Sequence, residues 1–455
     1  MDINQILNLL ERPVPRYTSY PTANHFKATT KTNLHEKQLE SVEGEVSLYF
    51  HIPFCRSLCT YCGCFTRIPS DYEKVLSYVD SLVNEIKLVA QKAAKRIRIK
   101  HIHFGGGTPT YLAKDDLTKI FSAITQYFSL DSKVEIAVEI DPRTVEHDII
   151  KHLKDFGVNR ISLGVQDFND DVQRVINRIQ PFKIISKSVE IIRSLGIDAI
   201  NFDLMYGLPL QTIEKIQNNI KLALSLEPNR IAYFGYAHMP QMYSHQKPLE
   251  LHHLPNVKER YEQFIFGRDM LVSKGYCHFG LDHFAQKDDP LTMAYADRSL
   301  KRNFQGYTTD IAPTLIGFGV SAISSFRDGF FQNSLKILDY KNKITKGQLS
   351  TSKEFILSKD DIIRQSIISQ LMCFGKVNLK EVCPNHWEQI YITAKQNLHI
   401  FENLTFIQIF DDHTIQITPS GMPLMRLIAS CFDAHTTFRW TDESLMTAQK
   451  QHSRT

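Results

Sequence analysis

The stretch Cys55-Arg-Ser-Leu-Cys59-Thr-Tyr-Cys62-Gly-Cys64 directly follows the apolar run Leu48-Tyr-Phe-His-Ile-Pro-Phe54. Three thiolates spaced C-x3-C-x2-C can ligate three irons of a cubane and leave the fourth iron open to something other than protein. An open iron points to chemistry rather than storage. The competing reading is zinc or a purely structural role. Zinc needs a fourth ligand and usually a second C-x2-C pair, whereas Cys277, Cys373, Cys383 and Cys431 stand singly far along the chain.

Size and composition narrow the field around this motif. A chain of 455 residues exceeds a single core, so one large domain with one or two smaller ones is expected. A net charge of +4 is small for this length, and no basic run interleaved with aromatics stands out, which argues against a nucleic-acid partner. The start, Met1-Asp-Ile-Asn-Gln-Ile, lacks a basic region followed by an apolar one, and no apolar stretch is long enough to span a membrane. The eight unevenly spaced cysteines fit a reducing compartment. A cytoplasmic chain without structural disulfides is the expectation.

From Glu45 to Ala237 short β-rich runs alternate with amphipathic helical patterns. The runs are Val46 to Ile52, Ile99 to Phe104, Val134 to Ile140, Arg160 to Val165, Ile197 to Tyr206 and Arg230 to Tyr236. Between them, Val75, Val79, Leu82, Ile86 and Val89 repeat at helical spacing behind Ser70 and Glu73, which read as a capping box, and Gly157 reads as a stop signal after Phe156. Six β-α units imply an α/β fold with a parallel sheet and helices outside. A doubly wound sheet fits the periodicity equally well. The polar residues favour a partial (β/α)6 barrel, because Cys55, Gly105 to Thr108, Glu139, Gln166, Asp203 and Ala237 all fall at or just past the carboxyl ends of the strands, where parallel barrels carry their sites.

Outside the alternating region, Arg12 to Ala23 has three prolines and no helical or strand period, so it reads as an extended arm. A polar, histidine-bearing loop runs from Met239 to Pro255 and a helix from Val257 to Lys274, and the glycine-bearing Gly317 to Ser324 suits close approach to a ligand. After Lys353 come a helix over Asp360 to Phe374, further helical segments and a hairpin-like pair, Leu404 to Phe410 with Thr414 to Ile417. The division expected is an arm and extension over 1–44, the barrel core over 45–240, a barrel-completing and substrate-site region over 241–352, and a small, mainly helical, winged-helix-like domain over 353–455.

Gly105-Gly-Gly-Thr-Pro109 follows a strand without the G-x-G-x-x-G or G-K-[ST] form, which disfavours a nucleotide-phosphate loop. Glu139, Asp141 and Asp203 could accept hydrogen bonds from an ammonium or ribose hydroxyls, although each taken singly reads as a cap or solvated charge. Arg178 could equally be a surface pair, and His51, His103, His238 and His283 read as structural or orienting.

The cysteine motif, with Tyr61 before the third cysteine, resembles the radical S-adenosylmethionine (radical SAM) superfamily. Within it, matching segments along nearly the whole chain resemble the oxygen-independent coproporphyrinogen III oxidases. They include Pro15 to Ala23, His51 to Cys55, Gly105 to Leu112, Gly164 to Asn169, Tyr206 to Pro209, Asp282 to Ala285, Asn303 to Thr309 and Gly319 to Ser324. The resemblance implies a radical SAM barrel and a 4Fe-4S cluster on Cys55, Cys59 and Cys62. It also implies two S-adenosylmethionine molecules and oxidative decarboxylation of two propionates of coproporphyrinogen III to vinyls in haem biosynthesis. Tyr49, Gly106, Glu139, Ala237 and Ile323 match family positions around the cluster-bound S-adenosylmethionine. Tyr61, Gly107, Thr108, Gln166, Arg178 and Asp203 match those around the second. Cys64 is expected to shape the site without binding iron, and Arg16 to meet a substrate carboxylate; these two are the catalytic candidates. Flavodoxin or ferredoxin is the electron donor the resemblance suggests, and a monomer is expected. Two departures stand out: Tyr61 replaces a phenylalanine, and Ile179 replaces a glutamate beside Arg178. The alternatives are a haem-degrading radical SAM methyltransferase and a haem-binding chaperone relative.

Overall fold

The computed structural model describes residues 3–29, 33–93 and 97–436, so the last part of the expected C-terminal region, 437–455, lies outside the described residues. Six parallel strands occur where the β-rich runs predicted them: Gly44–Ile52, Ile97–Gly106, Ser129–Ile140, Arg160–Gln166, Ala199–Tyr206 and Arg230–Gly235. A seventh, Thr314–Phe318, adds itself in parallel beside the first. Antiparallel strands extend both edges, giving thirteen strands in one sheet. Strand Thr351–Ile356 belongs to this sheet, so the composition change at Lys353 falls inside a strand.

The first strand organises the core. Its Phe50 is fully buried and stacks between Phe104 and Phe318 on the two flanking strands, with both ring centroids 4.8 Å away. Parallel register makes this stack possible, because Phe50 is paired directly with both residues. Each buried ring removes apolar surface from water, and offset stacking adds to that. The stack lies five residues before Cys55, so packing energy is placed next to the cysteine loop.

The helix Glu73–Lys92 covers this strand as the apolar spacing predicted, but its start differs. Tyr72 is the first capping position, and Asp71 Oδ1 accepts from the Lys74 amide at 3.1 Å while Ser70 donates to Asp71. The expected Ser70–Glu73 box therefore does not form: the helix begins two residues too late for Ser70 to cap it. Gly157, at φ +89°, does end the helix His147–Asp155.

The same long helix buries Glu85. Its carboxylate accepts from Gly319 N at 2.7 Å, Asn333 Nδ2 at 2.7 Å and Tyr340 Oη at 2.8 Å. Tyr78, two turns earlier, donates to His51 O at 2.6 Å and accepts from Val320 N at 3.1 Å. The helix thus clamps the glycine-bearing loop after the seventh strand against the end of the first.

A second apolar core lies in the C-terminal region, where helices Lys359–Phe374 and Trp387–Asn403 pack with the predicted hairpin, Ile407–Ile409 and Thr414–Ile417. This core also takes in an unforeseen helix, Ile3–Leu10, and the arm's Tyr17 and Tyr20, so the arm is no free tether.

Phe50→Ala should cost about 3–5 kcal/mol of stability by emptying the centre of the stack. Urea unfolding followed by circular dichroism would show it as a lower midpoint; an unchanged midpoint would mean the stack contributes little. Glu85 gives a pH test. Burial pushes its carboxyl up to about 7, against the hydrogen bonds from Gly319, Tyr340 and Asn333. The folded state therefore holds a proton that the unfolded state has released, and this contribution is lost as pH rises from about 4.5 through about 7. Thermal melts should show wild type losing stability relative to Glu85→Gln between pH 6 and pH 8.

Candidate active site

The loop carrying the cysteines is pinned at its base by Cys55 N to Arg67 O at 3.1 Å and Arg67 N to Pro53 O at 2.6 Å. Thr60 N to Ile176 O, at 3.1 Å, ties its middle to the turn after the fourth strand. Its far side is held by the Met239–Pro255 loop: His245 Nε2 meets Cys62 O at 2.7 Å and Gln246 Nε2 donates to Tyr61 O at 3.1 Å. Neither role was read from the sequence, where that loop showed only polarity.

Each of the three motif thiols has a polar neighbour. Thr108 Oγ1 lies 3.6 Å from Cys55 Sγ, Arg178 Nη1 donates to Cys59 Sγ at 3.6 Å, and the Cys64 amide donates to Cys62 Sγ at 3.4 Å. Bonding from the Cys64 thiol, then its amide, draws Cys62 down to about 6 against burial, whereas burial pushes Cys55 up to about 11. All of these cysteines are free thiols. Among the described residues no three His, Cys, Asp or Glu side chains converge closely enough for one metal ion. A loop of separated thiols with donors aimed at sulfur fits a multi-iron cluster better than a single zinc.

These residues open into one cavity of about 720 Å³ at the carboxyl ends of the parallel strands. It is lined by Cys55, Cys59, Cys62, Cys64, Tyr61, Gly106, Gly107, Thr108, Glu139, Gln166, Arg178, Asp203, Ala237 and Arg16. Tyr49 and Ile323 do not line it. Tyr49 sits behind, with its hydroxyl 3.0 Å from His51 Nδ1 and its ring stacked on His103, and Ile323 packs in a small core with Phe26, Phe330 and Leu357.

Two glycines set the approach. Gly106 has φ +110°, and a Cβ there would come within 2.6 Å of the His51 ring. At Gly107 a Cβ would lie 2.7 Å from Phe54 O and 3.0 Å from Cys55 Sγ. Glu139 is held by His103 Nε2 at 2.9 Å and Gly106 N at 3.2 Å; burial raises its pKa, yet these donors hold it below the usual carboxylate range. Asp203, bonded to Asn201 Nδ2 at 2.9 Å and Ser162 Oγ at 3.2 Å, is pushed up to about 7 by burial and then by Glu139. Within the cavity Glu139 therefore stays ionised beside an Asp203 poised near neutrality.

Arg178 is buried, which corrects its reading as an ordinary surface pair. Its Nη1 donates to Asp141 Oδ2 at 3.1 Å and its Nη2 to Gly164 O at 2.7 Å, so both ends of its fork are engaged within the protein. Arg143 completes the set with a 2.6 Å bond to Asp141 and a 4.0 Å contact to Cys59 Sγ. Asp141 is not a solvated charge but the carboxylate that positions two guanidiniums against Cys59. Ile179, by contrast, is 60% exposed and outside the cavity lining, so the missing glutamate leaves the cavity wall unaltered.

Residues 49–223 match the Radical SAM superfamily. Over 428 residues the chain is 40% identical to the oxygen-independent coproporphyrinogen III oxidase of Bradyrhizobium diazoefficiens, covering 93% of this chain and 95% of that one. It is 36% identical to the enzyme of the same name from Salmonella typhimurium, covering 92% and 93%. Among solved structures, coproporphyrinogen III oxidase (HemN) from Escherichia coli, described as a Radical SAM enzyme, aligns with a TM-score of 0.87 at 35% identity over 92% of this chain and 98% of that one.

Gly107→Ala should displace the Cys55 side of the loop, since its Cβ would meet backbone oxygen at 2.7 Å, whereas at Gly63 the nearest atom to a new Cβ is 3.7 Å away on the Tyr243 ring. After anaerobic reconstitution, iron analysis should find less iron in Gly107→Ala and a wild-type content in Gly63→Ala. Equal content in both would show that the loop tolerates the collision.

Proposed function

Because this chain belongs to the oxygen-independent coproporphyrinogen III oxidases of the radical SAM superfamily, we infer that its cavity converts two propionates of coproporphyrinogen III to vinyls, yielding protoporphyrinogen IX in haem biosynthesis. The observation that carries this is the cysteine loop facing, across one cavity, a glycine turn and buried carboxylates at the strand ends. Cys55, Cys59 and Cys62 would hold a 4Fe-4S cluster, with Arg143 and Arg178 offsetting thiolate charge at Cys59. When bound, the cluster supplies the electron that releases a 5'-deoxyadenosyl radical from S-adenosylmethionine.

The chain's own residues bind, orient and exclude water. Glu139, kept ionised by His103 and the Gly106 amide, faces the open turn and can accept an ammonium. Ala237 and Gly106 border that part of the wall. Gly107, Thr108, Gln166 and Asp203 border the remainder, and we assign them a second S-adenosylmethionine, with Asp203 accepting ribose hydroxyls or the ammonium and Tyr61 covering it. Arg178 serves this place from behind, through Cys59 and Asp141. Each propionate would give one hydrogen atom from its β-carbon to the 5'-deoxyadenosyl radical, forming 5'-deoxyadenosine, and then lose CO2 while passing one electron to an external one-electron acceptor, so the site needs no general base. Cys64, exposed and bonded to Cys62 through its amide, shapes the wall near the substrate. No helix among the described residues is long and apolar enough to cross a membrane. We propose a cytoplasmic monomer reduced by flavodoxin or ferredoxin.

Anaerobic incubation of reconstituted protein with S-adenosylmethionine, a reductant and coproporphyrinogen III should yield, by mass analysis, loss of two CO2 per porphyrinogen. A methylated or ring-opened product would overturn the reading. Cys55→Ala, Cys59→Ala and Cys62→Ala should lose the cluster signal in electron paramagnetic resonance while Cys64→Ser keeps it. In equilibrium binding, wild type should take two S-adenosylmethionine molecules and Asp203→Asn one; wild type binding a single equivalent would remove the second site.

A further inference from the structure

Four guanidiniums gather where the arm meets the end of the sixth strand. Arg16 Nη2 donates to Gly235 O at 3.0 Å and Arg260 Nη2 to the next carbonyl, Tyr236 O, at 2.7 Å. Arg302 Nη2 reaches Arg16 O at 3.3 Å, and Arg426 Nη1 reaches Val14 O at 3.2 Å. Their contacts are with neutral carbonyls. Among the described residues none of the four lies within 4.0 Å of a carboxylate, whereas the guanidiniums deeper in the cavity are all paired: Arg143 and Arg178 with Asp141, Arg160 with Glu135, Arg230 with Asp289.

Asp282, whose field Arg16, Arg302 and Arg426 share, bonds His283 Nδ1 at 2.8 Å and is held far below the usual carboxylate range against burial by His283, Arg302 and Arg16. Arg426 is depressed by burial and then by Arg16. The group therefore carries an uncompensated positive charge in a partly desolvated place. Such a charge is costly unless an anion arrives. Arg302 shows the deficit atom by atom, since its Nε and Nη1 are buried without a partner and its guanidinium rests on the Tyr307 ring at 4.5 Å. Arg16 lines the cavity itself, and Arg260 and Arg302 stand just outside the lining against Tyr236 and Tyr307, which are part of it, so the charge borders the cavity.

We propose that Arg16, Arg260, Arg302 and Arg426 form the carboxylate-binding rim of this cavity, gripping the propionates of a porphyrinogen that are not at the reacting position. The assignment rests on the proposed function for the identity of the tetracarboxylate. It follows from the charge count rather than from the arm alone: forks already half-satisfied by backbone are pre-oriented and keep free N–H groups for bidentate carboxylates. It also gives the arm a chemical role, since Arg16 stands both as a member and, through its carbonyl, as the anchor of Arg302.

The test uses the reconstituted holoenzyme with S-adenosylmethionine and, as probe, coproporphyrin III, the stable oxidised tetra-acid, against its tetramethyl ester. Wild type should bind the acid far more tightly than the ester, with affinity for the acid alone falling as salt rises. Arg260→Gln and Arg302→Gln should each weaken acid binding about tenfold or more without changing ester binding, and Arg302→Lys should recover part of the loss. The rim is refuted if wild type does not discriminate acid from ester, if salt leaves acid binding unchanged, or if the glutamine variants bind the acid as wild type does. The salt titration needs no variant and stands if a variant misfolds. A wild type that decarboxylates coproporphyrinogen III while the variants bind normally removes only the rim; a wild type that does neither removes the proposed function.

Discussion

Holding thiolates in a partly dry cavity is the constraint from which the rest of this structure follows. Negative charge at Cys59 is met by Arg178 and Arg143, and both are set in place by one buried carboxylate, Asp141. An isolated guanidinium there would carry its own desolvation penalty, and an isolated Asp141 likewise; together they offset one another and leave a net positive face toward sulfur. Asp141 starts a short turn just after the third strand, and Arg178 follows the fourth. Parallel strands are what bring both to one end of the sheet, so the electrostatic requirement and the topology are the same requirement.

The six parallel strands were legible because short apolar runs, alternating between buried and half-buried residues in the fourth and fifth, recur between helical periods. The seventh, Thr314–Phe318, was hidden: it is five residues long, and its last two fall in the glycine-bearing stretch Gly317 to Ser324 that reads as suited to close approach to a ligand. The loop after the strand is clamped by Glu85 and Tyr78. Likewise the spacing of Cys55, Cys59 and Cys62 announced their convergence, but the partners that tune them, His245, Gln246 and Arg143, carry no motif. Their roles arise from tertiary approach alone.

Most of the residues that match family positions line the cavity. Tyr49 and Ile323 stand outside the lining, Tyr49 as a support for His51 and His103. The arm illustrates the same division. Three prolines predicted an extended path. Nothing local predicted that Tyr17 and Tyr20 would be buried in the C-terminal core.

That burial ties the arm to the C-terminal region. Tyr17 donates to Asp433 at 3.0 Å, the Ala434 amide donates to Tyr20 Oη at 2.9 Å, and Arg426 holds Val14. The arm is made long before its anchors. Arg16 can therefore be held at the cavity only after residues as far as Ala434 have been synthesised, so one wall of the cavity depends on a part of the chain that contributes no strand to the main sheet.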